Sequence, residues 1–267
     1  MEPSIAVGGA RCIAVLGVGE AGYAIAAHLV ALGVVVRAYD PVPIDPPAGA
    51  IRCTDEADAA RGADVVLSVN SAADAEQALL AGTPGVTVGA VWADLNTASA
   101  QLKARLARIG DERGVDVVDV ALMTPVPGQG LRTPMLVSGV QAERFRRLLT
   151  PLGASITVQD GPPGAAATRK LLRSTFYKGM AAAVVEALAA ARAAGCEDWL
   201  RTMIGRELEQ AGAATVDRLE EGSRRHARRR AEEMRAAADL LTDLGVPPRV
   251  ARAAADWLDD LTAQPTP

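Results

Sequence analysis

Residues 17 to 22 read GVGEAG, directly after the apolar run CIAVL and at the head of an amphipathic stretch. Glycines at this spacing suit a strand that turns sharply into a helix. Gly17 permits the tight turn, Gly19 lets a ligand approach the backbone, and Gly22 lets the helix lie close to the strand. The first helical turn, at Glu20, Ala21 and Gly22, then presents unpaired N–H groups to an anion such as a pyrophosphate. Asp40 ends the run VVVRAYD eighteen residues beyond Gly22, where a carboxylate accepts hydrogen bonds from ribose hydroxyls. Together these features form a dinucleotide fingerprint. An acid at position 40 repels a 2′-phosphate, which favours NAD(H), while Arg37 and Arg52 keep NADP(H) open. The competing reading is a glycine turn with no ligand, with Asp40 opening the turn DPVP.

Hydride transfer to or from a nicotinamide needs a proton donor and acceptor beside the reacting carbon. Lys170, Ser174 and Lys178 are spaced i, i+4, i+8 on a helical stretch, so they share one face, with Tyr177 beside them. The plainer alternative is that both lysines snorkel to water. Asn70 ends the strand-like run ADVVLSVN, and Asn96 and Thr97 follow VWADL, where polar groups line a cofactor cleft or cap the next helix. In RRHARRR, His226 and Arg230 flank an apolar stripe of Ala227, Ala231, Met234, Ala238 and Leu241. They border a substrate cleft or make an interhelical ion pair. His28 reads as a packing or surface histidine.

The elements that position these residues follow from periodicity. CIAVLG, VVVRAYD, ADVVLSVN, VWADLN, VDVVDVALM, PMLVSG and SITVQ are short, Val-rich strand signals, with helical stretches between them. Alternation of this kind predicts an α/β fold, a doubly wound, mostly parallel sheet of the Rossmann type. Beyond about residue 160 the strand signals stop, and the rest reads as helices. One is a long helix over 164–194, and another is continuous over 223–245. The turn GPPG divides a dinucleotide-binding domain, 1–160, from an all-helical substrate and dimerisation domain, 161–267. Residues 1–10 and the final AQPTP are expected to fray.

The net charge of −4 over 267 residues offers no positive field to attract nucleic acid or an acidic membrane. No uncharged apolar run is long enough to span a bilayer. Cys12, Cys53 and Cys196 lie too far apart in sequence for a zinc motif or a disulfide framework, so no metal is expected and a reducing cytoplasm fits.

The motifs GVGEAG, VWADLNTAS at 91–99 and VDVALMTPVPG at 118–128, with the helix carrying Lys170, resemble the β-hydroxyacid dehydrogenase superfamily. That group includes the 3-hydroxyisobutyrate and 6-phosphogluconate dehydrogenases. RKLLRSTFYKG and HARRRAEEM resemble a 6-phosphogluconate-dehydrogenase-like branch with a distinctive helical C-terminal domain. The resemblance covers about residues 11–245. It implies that Lys170 passes a proton to or from the substrate oxygen, and that Asn96 and Thr97 lie near the nicotinamide ribose. Where relatives carry Asn one turn after the lysine, this chain has Ser174, which reaches less far. Where relatives have a Ser-Gly-Gly carboxylate loop, it has Met123, Thr124 and Pro125, and proline has no N–H to donate. The resemblance implies a homodimeric NAD(P)-dependent oxidoreductase acting on a secondary alcohol or ketone of a small hydroxyacid-like molecule. An imine reductase of similar architecture is the alternative, and a non-catalytic dinucleotide-binding sensor the third.

Overall fold

The computed structural model describes residues 9–263. Of the fraying expected for residues 1–10 and 263–267, residues 1–8 and 264–267 fall outside them, and the rest is a correction: Ala10 is buried with its N–H on the Leu148 carbonyl, and Ala263 ends the last helix. Eight strands form one sheet: β1 (Cys12–Leu16), β2 (Val35–Tyr39), β3 (Ile51–Arg52), β4 (Val65–Ser68), β5 (Val91–Asp94), β6 (Asp116–Leu122), β7 (Met135–Ser138) and β8 (Ile156–Val158). Their order is β3-β2-β1-β4-β5-β6-β7-β8, the doubly wound arrangement expected from the alternation of elements. Every pairing is parallel except β6 with β7. The connection between those two, MTPVPGQGLRTP, is too broken by Pro and Gly to supply a crossover helix, so the chain turns back on itself. The edge strand β3 was not foreseen, since two residues leave no periodic signal.

Alternate residues of each strand feed two cores, one on each face of the sheet. Ile13, Val15, Val65, Leu67, Val118 and Val120 pack with α1 (Glu20–Ala31) and α5 (Ala142–Leu149) through Ile25, Leu29, Phe145 and Leu149. Ala14, Leu16, Val66, Trp92 and Val117 face the other way. They meet α2 (Glu56–Ala60), α3 (Ala75–Gly82) and α4 (Ala100–Asp111) through Ala59, Leu79, Leu106 and Ile109. The Trp92 ring lies so close to Gly82 that a Cβ there would fall 2.6 Å from it.

The helices that follow are α6 (Ala165–Ala193), α7 (Glu197–Glu209), α8 (Ala213–Arg225), α9 (Ala227–Asp243) and α10 (Arg249–Ala263). Two compact units meet within α6, the first ending at Arg173 and the second beginning at Ser174, later than the GPPG turn. The start of α6 stays with the sheet because the carboxylate of Asp119, on β6, accepts the N–H groups of Gly164 and Ala167. In the second unit, α9 and α10 bury Ala231, Ala238, Leu241, Ala251, Ala255 and Leu258. Glu186 on α6 accepts the N–H groups of Val250 and Ala251 at the start of α10. The single helix expected over 223–245 is a correction: the chain breaks at His226, which ends α8 and precedes α9. Arg230 folds back across the break to donate to Ser223, passing over Gly222, where no side chain obstructs it. Among the described residues no helix is long and apolar enough to cross a membrane.

Truncating the buried Trp92 to Ala should cost about 3–5 kcal/mol in urea unfolding. Val88→Ala, at a fully exposed position, should change stability by less than about 0.5 kcal/mol in the same assay.

Candidate active site

The glycine loop leaves β1 with Gly17 at a φ of 95°, a left-handed conformation that a side chain resists. A Cβ there would also press within 2.7 Å of the Val69 carbonyl oxygen, and one on Gly22 would overlap the carbonyl of Gly17. The space around Gly19 is open. Gly19 precedes α1 without any side-chain cap, so the N–H groups of the first turn face outward beside that open space. The shape suits an anion: close packing under Gly17 and Gly22, and clearance over Gly19.

Asp40 lies just beyond β2 and braces the loop. One carboxylate oxygen accepts the Val18 N–H at 2.6 Å, and the other accepts the Val42 N–H at 2.9 Å. Gly17, Gly19, Asp40 and Asn70 all line a cleft of about 460 Å³ at the C-terminal edge of the sheet. Among the described residues its other charged lining groups are Glu56 and Asp74, with no Lys or Arg. Burial, with the carboxylates of Glu56, Asp55 and Asp40, pushes the Tyr39 phenol in this cleft up from its ordinary value. Arg37 is engaged elsewhere, donating to Asp58 and to the carbonyls of Asp58 and Ala59. Arg52 pairs with Asp45.

A chain of polar side chains leads from this cleft to a narrow crevice, too tight for a water molecule, lined by Asn96, Thr97 and Lys170. Asn96 Nδ2 donates to Asn70 Oδ1 and Asp94 Oδ1, each at 2.6 Å, with Ser68 Oγ at 3.3 Å. The carboxylate acceptor fixes the orientation of this amide. Asn96 Oδ1 and Thr124 Oγ1 are buried with no hydrogen-bond partner among the described residues. Lys170, on the second turn of α6, donates to Thr97 Oγ1 at 2.8 Å.

Beneath them lies a group that the sequence reading missed. Lys103 on α4 is 2% exposed, with its ammonium 2.7 Å from Asp94 Oδ2 and 3.1 Å from Asp119 Oδ1. It also donates to the Asp94 carbonyl. Asp94 and Asp119 are register partners on β5 and β6. The available signal was Asp94 in the otherwise apolar VWAD and Asp119 in the middle of VDVVDVAL, with a lysine on the stripe of Leu106 and Gly110 in α4.

Ser174, Tyr177 and Lys178 belong to the part of α6 counted with the second unit, where the Tyr177 ring meets Phe176 edge-on at 5.3 Å. Met123 follows β6 and its N–H donates to the Pro134 carbonyl. His226 is exposed beside Arg225, Arg228 and Arg229, and Arg230 bonds the Ser223 hydroxyl where an ion pair was one expectation. His28 is a packing residue, accepting the Leu131 N–H through Nδ1.

Residues 12–159 match the family model of the NAD binding domain of 6-phosphogluconate dehydrogenase. Residues 191–261 match a model described as a domain of unknown function. A 2-(hydroxymethyl)glutarate dehydrogenase from Eubacterium barkeri is 25% identical over 199 residues, 70% of this chain and 64% of that protein. A conserved hypothetical protein from Sinorhizobium meliloti 1021 is 29% identical, with a TM-score of 0.61 over 93% of this chain and 87% of that one. An imine reductase from Myxococcus stipitatus, solved with NADP+, is 18% identical and shares the fold, with a TM-score of 0.80 over 94% of each chain.

The second and third glycines of the loop should separate binding from folding. Gly19→Val, in open space, should leave the melting temperature unchanged and weaken NADH binding at least tenfold by fluorescence titration, a loss of about 1.4 kcal/mol. Gly22→Val should lower the melting temperature, because the helix start must move away from the strand.

Proposed function

The chain belongs to the β-hydroxyacid dehydrogenase superfamily, a family of NAD(P)-binding oxidoreductases, and on that premise we propose that it transfers hydride between NAD(H) and a small hydroxyacid-like alcohol or its ketone. The observation that carries this reading is the continuous polar path from the glycine-loop cleft through Asn70 and Asn96 to Thr97 and the Lys170 ammonium that it binds. Gly17, Gly19, Glu20, Ala21 and Gly22 would hold the pyrophosphate, and Asp40 the adenosine ribose. When bound, the nicotinamide supplies or accepts the hydride. Lys170 gives a proton to the substrate oxygen in reduction and takes it in oxidation, with Thr97 fixing its ammonium before reaction. Asn96 offers Oδ1, its one unpartnered acceptor, to a donor from the ribose or the substrate. Within the first unit, Met123 and Thr124 are assigned to substrate positioning.

NAD(H) over NADP(H) is supported by the carboxylates of Asp40, Glu56 and Asp74 in a cleft lined by no cation. A second reading, reduction of a C=N bond, is favoured by the loop after β6. The Met123 N–H is taken by Pro134 and Pro125 has none, which leaves few donors for a substrate carboxylate. A homodimer is supported by α7 and α8, which bury no residue within the chain, and by Trp199, Val216, Leu219 and Trp257, which are largely exposed. The free thiols of Cys12, Cys53 and Cys196 support a reducing, cytoplasmic setting.

NADH should bind more tightly than NADPH, and Asp40→Ala should weaken NADH binding at least tenfold, roughly 1.4 kcal/mol, while narrowing the preference. On a panel of hydroxyacids, ketones and cyclic imines, Lys170→Met should lower turnover by roughly 10²-fold or more. Near-full turnover by that variant would remove Lys170 from the chemistry. Turnover of imines alone would establish the second reading, and binding without any turnover would leave a dinucleotide sensor.

A further inference from the structure

Lys103, Asp94 and Asp119 lie outside the reaction outlined above, yet each carboxylate holds one arm of the site. Asp94 Oδ1 accepts from Asn96, whose amide continues to Asn70 in the dinucleotide cleft. Asp119 Oδ2 accepts the N–H groups of Gly164 at 3.0 Å and Ala167 at 2.9 Å. Ser138 Oγ lies 3.3 Å from that oxygen and accepts the Ala166 N–H at 3.1 Å. These amides begin α6 one turn before Lys170. The other oxygen of each carboxylate faces Lys103 Nζ, whose further contact is the Asp94 carbonyl. An ammonium has three protons, and here there are three oxygens.

We propose that Lys103 is a positioning residue, which sets the Asn96 arm through Asp94 and the Lys170 arm through Asp119, so that cofactor contact and acid/base group stand in fixed register. This rests on the dehydrogenase reading above. Without the ammonium, two carboxylates on neighbouring strands face each other in a buried space and cannot both keep their present places. The arms are separable because each carboxylate divides its oxygens between Lys103 and one arm. In Asp94→Asn an N–H₂ group must face either Lys103 or the Asn96 amide, both donors. In Asp119→Asn the N–H₂ group must face either Lys103 or the amides of α6.

The test uses the full chain with two readouts: the NADH dissociation constant by fluorescence, and the rate at which acetic anhydride labels Lys170, read by mass spectrometry. Asp94→Asn is expected to weaken NADH binding about tenfold or more, with Lys170 labelling within about twofold of the unsubstituted chain. Asp119→Asn is expected to raise Lys170 labelling several-fold, with NADH affinity within about twofold. Lys103→Met should move both. If Lys103→Met does not fold, the opposite behaviour of the two Asn variants still decides the matter. Folded variants in which neither readout moves, or in which both move together with the melting temperature every time, would overturn the proposal. Failure of the unsubstituted chain to bind NADH would instead overturn the dinucleotide reading, and the response of Lys170 labelling to Asp119→Asn and Lys103→Met would still decide the Asp119 arm.

Discussion

A lysine ammonium enclosed between two carboxylates is the constraint around which the C-terminal edge of this sheet is arranged. Lys103, Asp94 and Asp119 are each almost fully buried. Ions removed from water in this way are tolerated only when each is paired and its remaining hydrogen-bonding capacity is met. Asp94 meets that condition with Asn96, and Asp119 with the amides at the start of α6. Removing one partner of such a group typically costs about 3–5 kcal/mol, whereas an apolar trio of similar volume is often no less stable. Stability alone therefore does not account for charges at these positions. What they supply is geometry, joining β5, β6, α4 and α6 at the point where the candidate site is assembled.

The glycine loop obeys a different physical rule and reaches the same edge. Close packing under Gly17 and Gly22 fixes the path of the backbone, and Asp40 then ties that path to the end of β2 through the Val18 N–H. A carboxylate oxygen has more than one acceptor direction, so Asp40 can brace the loop and still receive a ribose hydroxyl. The same negative charge therefore shapes the loop and, under the proposed NAD(H) reading, would select its ligand. Substitution at Asp40 consequently acts on both loop and ligand, whereas Gly19, with nothing packed against it, bears on the ligand alone.

Legibility in the sequence followed the range of the interactions concerned. Seven strands and the helices of the first unit were read from runs such as VVLS and VWAD because burial on both faces leaves a local apolar record. GVGEAG and Asp40 were legible for a related reason, since loop and strand end are fixed by local geometry. Lys103 was not, because its partners are one strand connection before it and one after, and a lysine in a helix reads by default as solvated. The break at His226 was equally hidden. RRHARRRAEEM has the composition of one helix, and what marks the corner is the bond from Arg230 to Ser223, visible only when both turns are in place.

The acidic cleft bears on cofactor choice more heavily than Asp40 alone would. A 2′-phosphate adds nearly two negative charges. Each unit-charge pair at about 4 Å is worth roughly 1 kcal/mol in water and about 4 kcal/mol at the effective dielectric of a protein surface. Glu56 and Asp74 line the same cleft as Asp40, and the nearest candidates to oppose them are already held, Arg37 by Asp58 and Arg52 by Asp45. Arg37 is the more firmly held, bonding two backbone carbonyls besides the carboxylate, so turning it toward a phosphate would break several hydrogen bonds at once. Arg52 has one exposed partner and is the easier of the two to redirect. Under the proposed NAD(H) preference, discrimination against the phosphorylated cofactor would rest on repulsion within the cleft together with the hydrogen bonds that hold Arg37, and a route to relaxing it would run through Arg52 and Glu56 rather than through the glycine loop.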